Sequence, residues 1–183
     1  ELRNLLQSLS NQTFSNFEVV IVEDGSDFTA ETISGEFQEK LNICYYFQEN
    51  TGQGFARNKG MELAKGDYFV FFDSDCVIPS GYFKILNKVI KERGLDAHGG
   101  PDDAEDEFSS WQKAMNFSMT AFLTTGGIRG KMKDPSKYQA RGYNMGFSRD
   151  VYKEVGGFIH PNMAEDIELS IRIKKAGFKL ELV

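Results

Sequence analysis

Cysteine is scarce in this chain of 183 residues, with Cys44 and Cys76 the only two. Two cysteines at this length cannot build a disulfide framework, which argues against a small secreted scaffold and for a reducing compartment. Long apolar runs are absent as well. The longest falls far short of the roughly 20 residues that a membrane-spanning helix needs, and no signal-peptide pattern opens the chain. Positive charge is in deficit: 21 Lys and Arg against 27 Asp and Glu give a formal net charge of −6 and a pI near 5.0. That balance argues against a broad nucleic-acid-binding face. Any handling of phosphates must therefore rely on a local basic cluster or on a metal ion. Internal repeats and low-complexity linkers are missing too, so the length reads as one domain, 1–183.

What is present suits a globular interior, with 40% hydrophobic residues and 16 Phe. Leu2, Leu5, Leu6 and Leu9 fall on one face of an opening helix. Nothing precedes that helix to cap it or to pack against it, so the chain is expected to be a piece of a longer protein. Strands are expected at Phe17–Val22, in "NICYYF" and in "DYFVFFD", the last a continuous apolar run suited to burial on both faces. Helices alternate with them: about Thr29 to Lys40, then a loop-to-helix stretch "GQGFARNKGMELAKG" stopping at Gly66, then "SGYFKILNKVIKERG". In this last helix Ser80 can cap, Phe83, Leu86, Val89 and Ile90 share a face, and Lys91, Arg93 and Gly94 close the end. The second half offers a strand in "LDAHGG", an acidic loop "DDAEDE" and a helix "FSSWQKAMNFSMTAFL" that places Trp111 in the core. A strand "RGYNMGFSR", a short helix to "GGF", and a final helix, Gly stop and strand in "EDIELSIRIKKAGFKLELV" follow. This alternation predicts an α/β fold, an α/β/α sandwich with a mostly parallel central sheet.

Carboxylates gather where ligands bind in such folds, outside the carboxyl ends of the strands. Asp24 and Asp27 follow the first strand, and Asp73 and Asp75 follow "FVFF". Read as extended chain, Asp73 and Asp75 share one face, and paired carboxylates repel unless a cation sits beside them. Oxygen-only ligands favour Mg²⁺ or Mn²⁺. Strand-ending turns also use Asp and Ser, so an isolated D-x-D would say little; the apolar strand before it and the other motifs give it weight. "GQGFARNKG" lacks the third glycine of a dinucleotide fingerprint, Arg57 standing in its place. It reads instead as a loop at a helix start that presents Arg57, Asn58 and backbone N–H groups to an anionic or nucleotide ligand. Glu165 and Asp166 open the last helix, where a carboxylate either complements the helix dipole or serves as a general base. His160 reads as a solvated loop residue.

In this order "VEDGSDFTAET", "GQGFARNKG", "FVFFDSD", "GGF" and "AEDIELSIRIKKAGFKL" closely resemble the family 2 glycosyltransferases, inverting enzymes with the Rossmann-like GT-A fold. The resemblance spans almost the whole chain. It implies a nucleotide-binding part at about 1–100 and an acceptor-binding part at about 101–183. It also implies transfer of a sugar, of the hexosyl or N-acetylhexosaminyl type, from a nucleotide-sugar donor, with UDP-sugars favoured. Asp73 would contact the ribose, Asp75 the Mg²⁺ or Mn²⁺ ion, Asp24 the base, and Arg57 would lie near the nucleotide. Asp166 would be the catalytic base, with Glu165 its competitor and Glu23 and Gly52 further candidates. The acceptor would be a saccharide or lipid-linked saccharide, met in the cytoplasm or at the inner face of the membrane during polysaccharide biosynthesis.

The resemblance has departures. A first strand ending in a Pro-x-Tyr-Asn-like turn is not found before the opening helix, and neither is the C-terminal Q-x-x-R-W of processive members. Two other readings compete. "FFDSDCV" matches the nucleophile motif of haloacid-dehalogenase-like phosphatases, but it sits mid-chain behind another αβ unit rather than near the start. A non-catalytic sugar-nucleotide-binding module differs from the enzyme only in turnover. In "TTGGIRGKMKDPSKYQARG", Arg129, Lys131, Lys133 and Lys137 form a basic loop that reads as solvated, or as a contact for phosphate-bearing ligands.

Overall fold

A computed structural model describes residues 1–100 and 139–183, with Trp111 and Ala114 between them. The opening leucines form helix α1, Leu2–Ser10, which buries Leu5, Leu6 and Leu9. They pack with Phe37, Leu41 and Ile78 against Val19, Ile21 and Ile43. Those last three come from β1 (Val19–Asp24) and β2 (Ile43–Gln48), a parallel pair in register from Val19↔Ile43 to Asp24↔Gln48. β1 starts two residues later than the apolar pattern suggests, because Phe17 N–H is bonded locally to the Ser15 carbonyl. The expected helix over 29–40 shortens to α2, Glu31–Gly35, where Gly35 is a poor helix residue.

Helix α3, Gln53–Leu63, leads to β3, Tyr68–Phe71, and α4 follows at Tyr82–Arg93. Gly94 ends α4 at φ +60, a left-handed conformation that glycine adopts without a Cβ penalty. Ser80 does not cap α4; its carbonyl is taken by Thr13 N–H instead. The rest comprises β4 (Ala97–Gly99), a 3₁₀ turn (Gly142–Asn144), β5 (Met145–Ser148), α5 (Arg149–Val155), α6 (Glu165–Lys175) and β6 (Leu180–Leu182). Their strands form a four-stranded sheet in the order β3-β5-β4-β6. β5 is antiparallel to both neighbours while β4 and β6 are parallel, so three strands share one direction and β5 alone runs against them. Met145, Phe147, Leu169, Ile173 and Leu180 make the second core against Met61 and Phe69.

Among the described residues the two sheets do not join. Between β1 and β3 lies a cavity of about 970 Å³, reached by Val20 and Val22 from one side and the outer edge of β3 from the other. Gly60 and Ala64 of α3 and Leu86 and Ile90 of α4 also line it. β3 therefore differs from a strand buried on both faces: Phe69 is buried, and Tyr68, Val70 and Phe71 are only half-buried. Trp111 is 82% exposed and so does not belong to the core. The acidic loop 102–107, most of the helix expected at 108–123, and the basic loop with Arg129, Lys131, Lys133 and Lys137 lie outside the described residues. No helix among the described residues is long and apolar enough to cross a membrane.

His98 in β4 is fully buried, its ring nitrogens bonded to Tyr68 Oη at 2.9 Å and Tyr82 Oη at 3.2 Å. Burial lowers its pKa to about 3, so it folds neutral. In the unfolded chain its ordinary value near 6.5 returns, and the unfolded state then binds more protons below that pH. Stability is thus fully present above about pH 6.5 and falls by about 1.4 kcal/mol per pH unit below it. Denaturant titrations from pH 7 to pH 4 should show this slope, and His98→Gln should flatten it. Equal slopes in both proteins would show that His98 is not the group responsible.

Candidate functional site

The predicted site residues converge around Arg57, in the second turn of α3. Its Nη1 donates to Glu165 Oε1 at 2.9 Å and its Nη2 to Asp73 Oδ1 at 3.1 Å. Arg57 and Glu165 are enclosed, with 13% and 5% of their side chains exposed, whereas Asp73 keeps 49% of its own open. Phe158 lies under the guanidinium at 5.6 Å. Gln53 Nε2 also donates to Glu165 Oε1, at 2.7 Å. Asp166 stands next along α6, its Oδ2 accepting from Gly142 N–H at 3.1 Å and its Oδ1 from Ile167 N–H at 2.7 Å. Direct contacts thus unite Arg57, Asp73 and Glu165, and Asp166 faces the same segment through Gly142.

Asp24 and Gly52 are joined separately. Gln48 Nε2, Thr51 N–H and Thr51 Oγ1 donate to Asp24 Oδ1, and Gly52 N–H donates to its Oδ2 at 2.8 Å. Burial pushes this carboxyl's pKa up, but the hydrogen bonds outweigh it and hold the group below its ordinary value. Three donors crowd Oδ1, whereas Oδ2 accepts only from Gly52 N–H and keeps a lone pair for a ligand.

The start of α3 likewise differs from the open anion cradle expected of it. Gly52 N–H is held by Asp24, Gly54 N–H by the Pro161 carbonyl at 2.8 Å, and Gln53 N–H by Asn162 Oδ1 at 3.4 Å. Asn58 is also structural, exchanging two 2.8 Å hydrogen bonds with the backbone of Phe158. These contacts tie the loop before α6 onto α3. Glu23 stands apart: it is 5% exposed and accepts from Ala30 N–H and from the Tyr45 hydroxyl. His160 is exposed, as its loop position suggests.

Asp73 and Asp75 do not continue the strand. Cys76 N–H bonds back to the Asp73 carbonyl at 3.1 Å, so Asp73 opens a β-turn in which Asp75 is the third residue, instead of the two lying in extended chain. Their proximity comes from that turn. Asp75 is exposed and makes no hydrogen bond or ion pair among the described residues. Among the described residues no group of three His, Cys, Asp or Glu side chains could hold a metal by itself. A single free carboxylate still fits the way Mg²⁺ binds, through one or two carboxylates with substrate phosphates and water completing the shell.

Sequence pattern gave no notice of Gln53 or Gly142. A Cβ on Gly142 would stand 2.6 Å from both terminal nitrogens of Arg57, so only glycine lets the main chain lie there. The available signal was a glycine inside a stretch read as a strand, which often marks a close backbone approach. Gly142 is flanked by two buried polar atoms without hydrogen-bond partners, Arg141 Nε and Tyr143 Oη.

A family model described as Glycosyl transferase family 2 matches residues 1–156. Glycosyltransferase GlyA of Streptococcus pneumoniae serotype 4 is 42% identical over 96 residues, 52% of this chain and 14% of that protein. Among solved structures, S. aureus TarS 1-349 superposes with a TM-score of 0.72 at 22% identity, covering all of this chain and 53% of that one. The mannosyltransferase PcManGT from Pyrobaculum calidifontis, solved with GDP-Man and Mn²⁺, gives a TM-score of 0.70 at 17% identity, covering all of this chain and 50% of that one. These two likenesses show the GT-A fold. The chain spans about half of these solved structures and far less of GlyA.

Gly54 tests the tie between α3 and the loop before α6, since a Cβ there would stand 2.2 Å from the His160 carbonyl oxygen. Gly54→Ala should destabilise the protein by about 1–3 kcal/mol in a urea titration, as overpacking does. Unchanged stability would mean that the loop is not held against α3.

Proposed function

The chain belongs to glycosyltransferase family 2, and from that premise we propose that it handles the donor in an inverting transfer of a sugar from a nucleotide diphosphate to an acceptor hydroxyl. The observation that carries this reading is the gathering of Asp73, Arg57 and Glu165 by direct contacts beyond the end of β3, with Asp166 brought to the same place through Gly142. Carboxylates there can serve a ribose, a cation and a proton at once. Asp24, at the end of β1, would receive the base by accepting its imide N–H at Oδ2, which otherwise accepts only from Gly52 N–H. TarS has been solved with UDP and with UDP-GlcNAc, which favours a uridine donor here, of hexosyl or N-acetylhexosaminyl type.

Asp75 is the residue that would hold Mg²⁺ or Mn²⁺ together with the donor phosphates. Such an ion, when bound, offsets the negative charge that develops on the departing nucleoside diphosphate. Asp73 would orient the ribose with its exposed oxygen while Arg57 steadies the other. Asp166 would take the proton of the acceptor hydroxyl as that oxygen bonds to the anomeric carbon and the bond to the diphosphate breaks. Attack from the opposite face inverts the configuration, and no protein nucleophile is needed. The N–H of Gly142 and the start of α6 fix the orientation of Asp166 and leave it lone pairs for this task. The acceptor would be a saccharide or a lipid-linked saccharide. The reaction would then take place in the cytoplasm or at the inner membrane face, in polysaccharide biosynthesis.

Two measurements test this reading in the full-length protein. A thermal-shift panel of UDP, GDP, dTDP and ADP with Mn²⁺ should raise the melting temperature most with UDP, because a ligand of the native state stabilises it by mass action. Asp75→Ala should remove the Mn²⁺-dependent part of that rise and leave the fold intact. An equal rise in wild type and variant rejects Asp75 as the metal ligand, and a larger rise with another nucleotide rejects the uridine donor. Asp166→Asn should lower kcat by about 10²–10⁴ while nucleotide binding stays unchanged. Full activity in that variant would remove Asp166 from the role of base.

A further inference from the structure

We propose that Glu165 is a positioning residue: through Arg57 it fixes Asp73 on the donor side and backs the segment that orients Asp166 on the acceptor side. The proposal rests on the reading of Asp166 as base. Glu165 is only 4% exposed, and its Oε1 already accepts from Arg57 and Gln53. An acceptor hydroxyl has no approach to such an enclosed carboxylate, and a base must reach the proton it removes.

What Glu165 does control is a rigid fork. The guanidinium is planar, so placing Nη1 against Glu165 also places Nη2, which lies 3.1 Å from Asp73 Oδ1. Phe158 supports the group from one face. Gly142, whose absent Cβ would meet both terminal nitrogens at 2.6 Å, lays its backbone against it. The N–H of that same Gly142 holds Asp166. One cation therefore touches the parts that carry the donor aspartate and the base, and Glu165 sets its angle. Asp73 keeps 49% of its side chain exposed, so it can accept from Arg57 and from a ligand together.

The test compares Glu165→Gln, Arg57→Met, Arg57→Lys, the double variant Arg57→Met/Glu165→Gln and Asp166→Asn in the full-length protein. The readouts are nucleotide release from the sugar nucleotide that wild type turns over, followed across pH, and the unfolding midpoint. Glu165→Gln should lower kcat by about tenfold, within the range of coupled positioning residues, and keep the acid limb of the pH profile. Arg57→Met should lower kcat and raise the donor KM. Arg57→Lys should recover little, because a point charge cannot bridge both carboxylates. The double variant should be no worse than Arg57→Met in kcat and should recover part of its lost unfolding midpoint.

Loss of the acid limb in Glu165→Gln, with the limb kept in Asp166→Asn, makes Glu165 the base and overturns the proposal. Multiplicative effects of Arg57→Met and Glu165→Gln overturn it as well, since the two would not act as one unit. Absence of turnover by wild type with every donor sinks the parent reading instead, and additive losses of unfolding midpoint would then still reject the Arg57–Glu165 unit.

Discussion

A cation with 13% of its side chain exposed is stable only while its partners stay within reach, and Arg57 has two, Glu165 at 2.9 Å and Asp73 at 3.1 Å. Removing Arg57 would leave the 5% exposed Glu165 without its cation, and breaking a buried pair in this way typically costs about 3–5 kcal/mol. The rest of the site is arranged to keep the pair closed. Asn58 and Gly54 bind the loop at 158–161 to α3, so the helix that carries Arg57 and the helix that carries Glu165 cannot drift apart. Gly142 fits only because it has no side chain, and in fitting it reaches Asp166. Asp73 and Asp166 are thereby held in one arrangement.

That arrangement is reached through strain. Met163 and Ala164, immediately before Glu165, both take left-handed conformations, with φ of 58 and 59. For residues with a Cβ this costs about 1–2 kcal/mol each. The bonds from Gln53 and Arg57 to Glu165, and from Gly142 to Asp166, offset it. Residues in such conformations persist where the surroundings over-determine them, and they cluster at functional sites. From this bend α6 starts with Glu165 facing α3 and Asp166 facing Gly142.

Much of the fold was legible because apolar periodicity reports burial directly. Leu5, Leu6 and Leu9 on α1 and the run that became β3 could be assigned from spacing alone. The placing of Asp24 and Asp73 followed from where strands end, whereas Glu165-Asp166 was marked by the start of a helix and by resemblance to the family. What could not be read were the partners. Asp24 held by Thr51 and Gly52, Asn58 bound to Phe158, and Gly142 under Arg57 are contacts across 27 to 100 residues of sequence or more subtle close approaches, and no local pattern encodes them. The turn at Asp73–Cys76 was missed for a different reason: the apolar run before it suggested extended chain, and a single backbone bond ended it.

The cavity between β1 and β3 also sets a length scale. Among the described residues no backbone ladder crosses it, and the β1–β2 pair and the four-stranded sheet meet there through side chains and helices. Asp24 stands at the end of one bank and Asp73 just past the end of the other. A molecule that touches both must therefore be long enough to bridge the seam between the two sheets.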